Sequence, residues 1–451
     1  MKIVINGGGG VGAALAEILS HLHHDVTMIE SDIRRADLLR GEVDCLVVTG
    51  NGASPVVLRE AGTDGADIFL AVTNQDEVNL LSCLFAREAG CPHSIARIRN
   101  RACVDGSDMS IQALGIDQII NPDEEAAREM VHLLNTPGTT QVTPLAEGAV
   151  VVAGMMVPDA SPIVGKTLAE LAEIHHQLRY RVVVIRRDEE TLIPTGDDQI
   201  LADDEVFIIA SPETVKQVTR AFGLVVGDYS LGRVMILGAS DLGRNVAAML
   251  EGTCRVKLID PTGSDAQGAS EELQQTLVIE GAGHEMDLLE REGLGEMDAF
   301  IAATDEEEKN LIACLYAKRL GVPHTLARVE LKFYRSLMMT VGVDAAVSPR
   351  QETVNAILKY VRTGDIRAVV RMRGVSAEAI ELVPGDGANI LDHPLREVRF
   401  PKGALVGMVV RPEEVVIPDG DTQVHFGDRV VVFALDKVIG QVEKLFSGSS
   451  K

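Results

Sequence analysis

The sequence predicts an α/β protein in which two doubly wound, parallel-sheet domains of Rossmann type are each followed by a small α+β module. Three observations predict this. A short apolar strand, Lys2–Asn6, enters the turn Gly7-Gly8-Gly9-Gly10-Val11-Gly12 and leads into an amphipathic stretch. A worn copy, Val234–Leu237 with Gly238-Ala239-Ser240-Asp241-Leu242-Gly243, returns 231 residues later. Matches continue at that offset beyond the glycines: Ala71-Val72-Thr73-Asn74 with Ala302-Ala303-Thr304-Asp305, and Gly90-Cys91-Pro92-His93 with Gly321-Val322-Pro323-His324. A repeat of this length points to a duplicated unit rather than to one domain with a chance motif.

Along the first copy, strands are expected at Lys2–Asn6, Asp25–Glu30, Cys45–Thr49, Ile68–Val72 and Ser94–Ile98. They are short, rich in β-branched residues and nearly all apolar, as strands are when helices cover both faces of a parallel sheet. The helix after each glycine turn carries one apolar stripe, Val11, Leu15, Ile18 and Leu19 against Leu242, Val246, Met249 and Leu250. That spacing buries one face on the sheet. Asn121-Pro122-Asp123-Glu124 and Ser348-Pro349-Arg350-Gln351 each supply an N-cap, a Pro at the first helical position and an acid or amide at the third. The second of these helices, with Val354, Ile357, Leu358 and Val361 in line, is expected to pack on its own domain or on a partner subunit, and both capped helices, Pro122–Leu134 and Pro349–Val361, are candidates for inter-lobe or inter-subunit contacts.

After each Rossmann copy come short Val/Ile strands broken by Pro-Gly-Asp turns. Ile193-Pro194-Thr195-Gly196-Asp197 recurs as Ile417-Pro418-Asp419-Gly420-Asp421. The expected boundaries are 1–137, 140–223, 231–365 and 368–448, with joints at Thr136–Thr140, Leu224–Arg233 and Arg362–Arg367.

Composition narrows the function classes. The chain has 451 residues, 46% of them apolar, and a net charge of −25. A nucleic-acid binder needs a basic face, and adsorption to anionic lipid needs one too. No apolar run approaches the roughly 18–20 residues of a bilayer span. Lys2 leads straight into a core strand, so no cleaved signal is expected and the chain reads as soluble. The six Cys form no CxxC pair and no metal-like spacing; Cys83 and Cys314, at equivalent places in the two copies, read as small buried thiols, and the cysteine usage suits a reducing cytoplasm. Twelve Lys against thirty Arg in an acidic chain suit a salt-rich cytosol.

The chemistry concentrates at the ends of the strands. In Gly7-x-Gly9-x-x-Gly12, the first glycine permits the tight turn and the second lets backbone approach a pyrophosphate. The third permits close helix–strand packing. The helix N-terminus presents free N–H groups and partial positive charge to the phosphates. Glu30 closes the next strand, 18 residues after Gly12. It can accept from both ribose hydroxyls and repels a 2′-phosphate, which favours NAD(H) or adenosine nucleotides over NADP. In the second copy Ser240 replaces the middle glycine, while Gly238, Gly243 and Asp260 remain. A Cβ there crowds the pyrophosphate path, so this site is expected to be weaker. Thr73-Asn74 and Thr304-Asp305 follow the fourth strands, at the edge where open α/β sheets take ligands, with ordinary helix capping as the competing reading. Arg97 and Arg328 follow the fifth strands, where a guanidinium could reach phosphate, cross a subunit interface or simply be solvated.

His93 and His324 sit in equivalent Gly-x-Pro-His turns and read as turn residues. His21, His23 and His24 end the first helix, where cations suit the helix dipole. No catalytic constellation and no metal-ligand set stands beside the glycine loops.

With these residues in view, the chain resembles the TrkA family, cytosolic regulatory subunits of Trk-type potassium uptake systems. These are built from RCK N-terminal (KTN) domains, each followed by an RCK C-terminal domain. The resemblance spans the whole chain. It rests on the GxGxxG strand–turn, Val72-Thr73-Asn74-x-Asp76-Glu77-x-Asn79, Ala96-Arg97-Ile98-Arg99 and the two Ile-Pro-x-Gly-Asp turns. It implies a first nucleotide site lined by Gly7, Gly8, Gly9, Gly10, Val11, Gly12, Glu30, Thr73, Asn74 and Arg97. A second would be lined by Gly238, Ala239, Ser240, Asp241, Leu242, Gly243, Asp260, Thr304, Asp305 and Arg328. It further implies NAD(H), ATP or ADP as ligands and no enzymatic activity. The assembly would be a tetrameric ring, peripheral on the cytoplasmic face of a TrkH-like membrane subunit. The rival readings are an NAD-dependent oxidoreductase, which needs a substrate pocket holding His93 or a Lys, and a scaffold with vestigial sites.

Overall fold

The computed structural model describes the chain except residues 104–114, 189, 226–229, 261–262, 282–285, 332–333, 335–336, 339, 362–365, 373–374, 412–413 and 449–451. Parts of the Leu224–Arg233 and Arg362–Arg367 joints therefore lie outside the described residues. The chain divides into two compact units, 1–126 with 348–361, and 127–347 with 362–451.

The first unit is built on β1 (Lys2–Asn6), α1 (Gly10–His21), β2 (Asp25–Glu30), α2 (Ile33–Glu42), β3 (Leu46–Thr49), α3 (Pro55–Glu60), β4 (Ile68–Ala71), α4 (Asp76–Glu88), β5 (His93–Arg97) and β6 (Gln118–Ile120). The sheet is parallel with strand order β3-β2-β1-β4-β5-β6. The order reverses between β1 and β4, so the carboxyl ends of these two strands flank the crevice where such sheets bind ligands. The short strand β6 was not expected. With three residues and little apolar patterning it has no signature of its own, and only pairing along β5 makes it a strand.

Alternation along each strand feeds two cores. Ile3, Ile5 and Leu70 point to one face, with Leu15, Ile18 and Leu19 of α1. Val4, Phe69 and Ala71 point to the other, with Cys83 and Ala86 of α4. The first core has a third layer. The Pro349–Leu358 helix of the second repeat lies on α1 and β6, with Val354, Ile357, Leu358 and Val361 in the same cluster as Ile3 and Leu15. Its apolar stripe is therefore covered by the first Rossmann domain of the same chain, an inter-lobe contact rather than packing on its own domain. The Asn121 and Ser348 caps form as expected. The Asn121 carbonyl accepts from the N–H groups of Asp123 and Glu124 at 3.0 and 3.1 Å, and the Ser348 hydroxyl from Gln351 N–H at 3.3 Å.

The second unit holds a second parallel sheet of identical topology. Its strands, in spatial order, are Leu277–Glu280, Arg255–Asp260, Arg233–Leu237, Ala299–Ala302, His324–Arg328 and Ala345–Val347. On the Asp241–Leu250 helix, Leu242, Val246 and Leu250 are buried, but Met249, which the sequence placed in the same stripe, is 36% exposed, because it falls off the face that packs on the sheet. This unit also contains two five-stranded antiparallel sheets, spanning Gln141–Ala210 and Ile366–Leu435. They share one core in which Phe207, Ile209, Val183 and Val184 meet Met408, Val431 and Phe433. Gly407 makes room for this: a Cβ there would strike the Phe433 ring, with Ile209 of the other sheet next in line. The small modules are thus paired sheets, each with helices on its flank, Leu168–Ile174 and Pro212–Ala221 in the first and Ile439–Phe446 in the second.

Candidate nucleotide sites

At the carboxyl end of β1 the chain turns through Gly7 at φ +115°, a backbone state that L-residues with a side chain avoid. Gly7 N–H donates to the Ile29 carbonyl at 2.9 Å, tying the loop to β2. Gly12 lies so close beneath that a Cβ would collide with the Gly7 carbonyl oxygen. Gly9 behaves differently. It is extended (φ −66°, ψ −171°), and a Cβ placed on it meets nothing within 4 Å. The chain itself thus requires glycine at 7 and 12, while the openness at Gly9 faces outward, toward whatever sits on the loop. No side chain caps α1, so its first N–H groups stay open to an anion.

Glu30 is where the spacing put it, but part of its work is internal. Its Oε2 accepts from Gly8 N–H at 2.9 Å and its Oε1 from Asp32 N–H at 2.8 Å, so the carboxylate braces the glycine loop from the end of β2. Arg35 donates to the Gly8 carbonyl at 3.2 Å. In the second copy Asp260, one methylene shorter and buried, accepts from Ala239 N–H at 2.5 Å.

Thr73 is not a helix cap. Helix α4 starts at Asp76 after Gln75, and the Thr73 hydroxyl instead accepts from Gln75 N–H at 3.2 Å in a tight local turn. The residue that organises this edge is Asn79, fully buried on α4. Its carbonyl oxygen accepts from Thr73 N–H at 3.0 Å and Thr73 Oγ1 at 2.7 Å. Its amide donates to the Thr73 carbonyl at 3.1 Å and the Arg97 carbonyl at 2.7 Å. One amide thereby staples the ends of β4 and β5. Asn310 does the same between Thr304 and Arg328. The sequence pattern includes Asn79 but gives neither asparagine a role. The available signal was an amide on the inner face of a helix, where a buried polar group must be fully hydrogen-bonded.

The structure brings together the glycine loop, Glu30, Thr73 and Arg97 at one sheet edge, with Asn74 exposed beside them. The second edge is assembled alike but carries different charge. Arg328, only 8% exposed, pairs with Asp305 and reaches Glu330 at 3.5 Å, where the first copy has the neutral Asn74 and the cationic Arg99. Ser240 differs from Gly9 by more than bulk. Its hydroxyl donates to the Ala303 carbonyl at 2.7 Å and accepts from Gly243 N–H at 3.3 Å, capping the helix that Gly9 leaves open.

The histidines stay outside these edges. His93 faces Asp117 at 3.4 Å on the surface. His24 follows α1 rather than ending it, and burial together with the N-terminal ammonium lowers its pKa to about 4, so it is no cation for the helix dipole at neutral pH. The cysteines are free thiols, and burial pushes Cys83 up to about 12. Among the described residues no His, Cys, Asp and Glu side chains gather as a metal site, and no helix is long and apolar enough to cross a membrane.

Comparison with known proteins follows the same two-part repeat. Residues 3–122 and 234–349 match the TrkA-N domain, and 152–223 and 379–447 match the TrkA-C domain. The chain is 35% identical over 458 residues to Trk system potassium uptake protein TrkA homolog 1 of Methanosarcina mazei, covering 99% of this chain and 100% of that protein. It is 35% identical over 452 residues to Trk system potassium uptake protein TrkA of Halomonas elongata, covering 99% and 98%. Among solved structures, the GsuK channel bound to NAD has the same fold, with a TM-score of 0.59 at 17% identity, covering 98% of this chain and 78% of that one. Two TrkA-N and two TrkA-C domains in alternation, with full-length likeness to Trk uptake proteins, establish that this chain belongs to the TrkA family.

Proposed function

We propose that the chain is a regulatory subunit of a Trk-type potassium uptake system, binding adenine nucleotides and gating a TrkH-like membrane subunit from the cytoplasmic face. The observation that carries this reading is the uncapped start of α1 beneath Gly9, flanked by Glu30 for a ribose and Arg97 for phosphate. NAD(H), ATP and ADP share the adenosine and phosphate groups this edge can hold. Residues 1–137, 140–223, 231–365 and 368–448 would be the RCK domains, and four chains would form the ring. Nucleotides that bind two arrangements of the ring unequally would shift its population, and with it the pore. The carboxylates at these edges are engaged within the fold, Glu30 with Gly8 and Asp32, Asp260 with Ala239 and Asp305 with Arg328, which favours sensing over hydride transfer.

Gly9→Asp tests the first site. The position is extended and open, so the substitution spares the fold while placing a carboxylate in the phosphate path. Calorimetry with ATP, ADP and NADH should show binding to the unaltered chain and, in the variant, loss of the tighter binding with only a weak residual at the second edge. Unchanged affinity would sink the site. Potassium-uptake rescue in cells lacking their own regulator, with the same variant alongside, tests the link to transport.

The second edge should bind anions more weakly, because Asp305 already neutralises Arg328 and Ser240 occupies a helix N–H. In a Gly9→Asp background, Asp305→Asn is therefore expected to raise residual ATP affinity by about tenfold, a charge-assisted contact being worth roughly 1.5 kcal/mol. An unaltered or lower affinity in that titration would mean that Arg328 does not face the ligand.

A further inference from the structure

We infer that Arg350, on the second repeat's Pro349–Leu358 helix, is a phosphate-pairing residue of the first nucleotide site. The inference rests on the reading of that site as a nucleotide site and adds a residue that neither the motif nor the repeat predicts. The guanidinium of Arg350 lies directly against Gly10, on the side where a Cβ would stand; any side chain there would overlap its Cζ, Nε and Nη1. Gly10 is the first residue of α1, so this cation is held over the uncapped helix start already assigned to phosphate.

The electrostatics are unfavourable unless an anion is present. A helix N-terminus carries partial positive charge and repels a cation. Arg350 is exposed and, among the described residues, has no carboxylate partner to offset that repulsion. Its helix is nonetheless fixed in place, through Val354, Ile357 and Val361 in the core of the first unit, so the guanidinium does not arrive by chance wandering of a loose segment. A phosphate chain on the glycine loop would lie between two positive groups and satisfy both, since guanidinium donors fit phosphate oxygens in pairs.

The first repeat does not offer the same device. At the equivalent place after its helix-starting proline stands Asp123, 2% exposed, with Arg99 at 3.4 Å. A cation in one copy and a buried acid in the other is a further departure from the repeat's symmetry. Arg350 over Gly10 joins the open Gly9 and the neutral Asn74 in suiting the first site to anionic ligands.

The test is calorimetry on the full chain with ATP, ADP and adenosine, comparing the unaltered protein with Arg350→Gln, Arg350→Lys and Gly9→Asp. Arg350→Gln should weaken ATP and ADP about ten- to a hundredfold, leave adenosine binding and the thermal midpoint unchanged, and flatten the salt dependence of ATP affinity. Arg350→Lys should recover part of the loss, since it keeps the charge but not the fork. Normal ATP and ADP affinity in Arg350→Gln, with binding lost in Gly9→Asp, overturns the role of Arg350 alone. An equal loss for adenosine also overturns it, by showing a structural effect. Normal affinity in Gly9→Asp removes the nucleotide site itself, and the inference with it.

Discussion

Gly12→Ala is expected to destabilise the first Rossmann domain by about 3 kcal/mol, whereas Gly9→Ala, three residues away, should leave its unfolding midpoint unchanged. The difference follows from what each new Cβ meets. At Gly12 it meets the Gly7 carbonyl, which is backbone and has no rotamer to retreat into. Gly7 is itself held at φ +115° and tethered to Ile29, so the loop and α1 must separate to relieve the overlap. At Gly9 the Cβ meets nothing of the chain, and the backbone there suits any residue. Denaturant unfolding measures the first effect. The second is read by titration, where Gly9→Ala should lose nucleotide affinity at full stability. If Gly12→Ala unfolded like the unaltered protein, the close approach of helix and strand would not constrain the loop.

Asn79→Leu should be nearly as damaging, by about 2–4 kcal/mol. Leucine matches the volume but deserts four partners: the Thr73 N–H, hydroxyl and carbonyl, and the Arg97 carbonyl. The part-buried polar groups on the ends of β4 and β5 are then left short of partners around a fully buried leucine, and that unmet hydrogen bonding dominates the cost. Thr73 and Arg97 are positioned through the same amide, so nucleotide affinity should fall with stability. Asn310→Leu provides the control, removing the matching staple from the second sheet without touching the first site. Comparable ATP affinity in Asn79→Leu and the unaltered protein would show that the staple does not position the site.

Most of the strands and both glycine loops were legible because their signals are local. Apolar runs of four to six residues, a Gly-rich turn and an acid at the end of the second strand need no knowledge of what lies across the fold. The predicted strand limits differ from β3, β4 and β5 by a residue at one or both ends, since the ladder rather than the side-chain pattern decides where pairing stops. Strand β6 was missed for the same reason. The asymmetry of the two sites was visible at Ser240, but its form was not. The sequence showed a Cβ where the first copy has none; the geometry shows a hydroxyl that also caps the helix and occupies the Gly243 N–H.

By itself, then, the sequence determined the duplicated order of Rossmann domain and small module, the Rossmann class, and the residues at each strand end, because periodicity and spacing encode contacts between near neighbours. Tertiary structure alone decided that the Pro349–Leu358 helix covers the first domain, that Asn79 joins β4 to β5, and that Arg350 stands over Gly10. The second and third of these join residues at least 18 positions apart in the chain, up to 340 for Arg350 and Gly10. An amphipathic stripe records that a helix must be covered but carries no address for the surface that covers it. Only the burial of that stripe against β1 and α1 brings the arginine of one repeat to the glycine loop of the other.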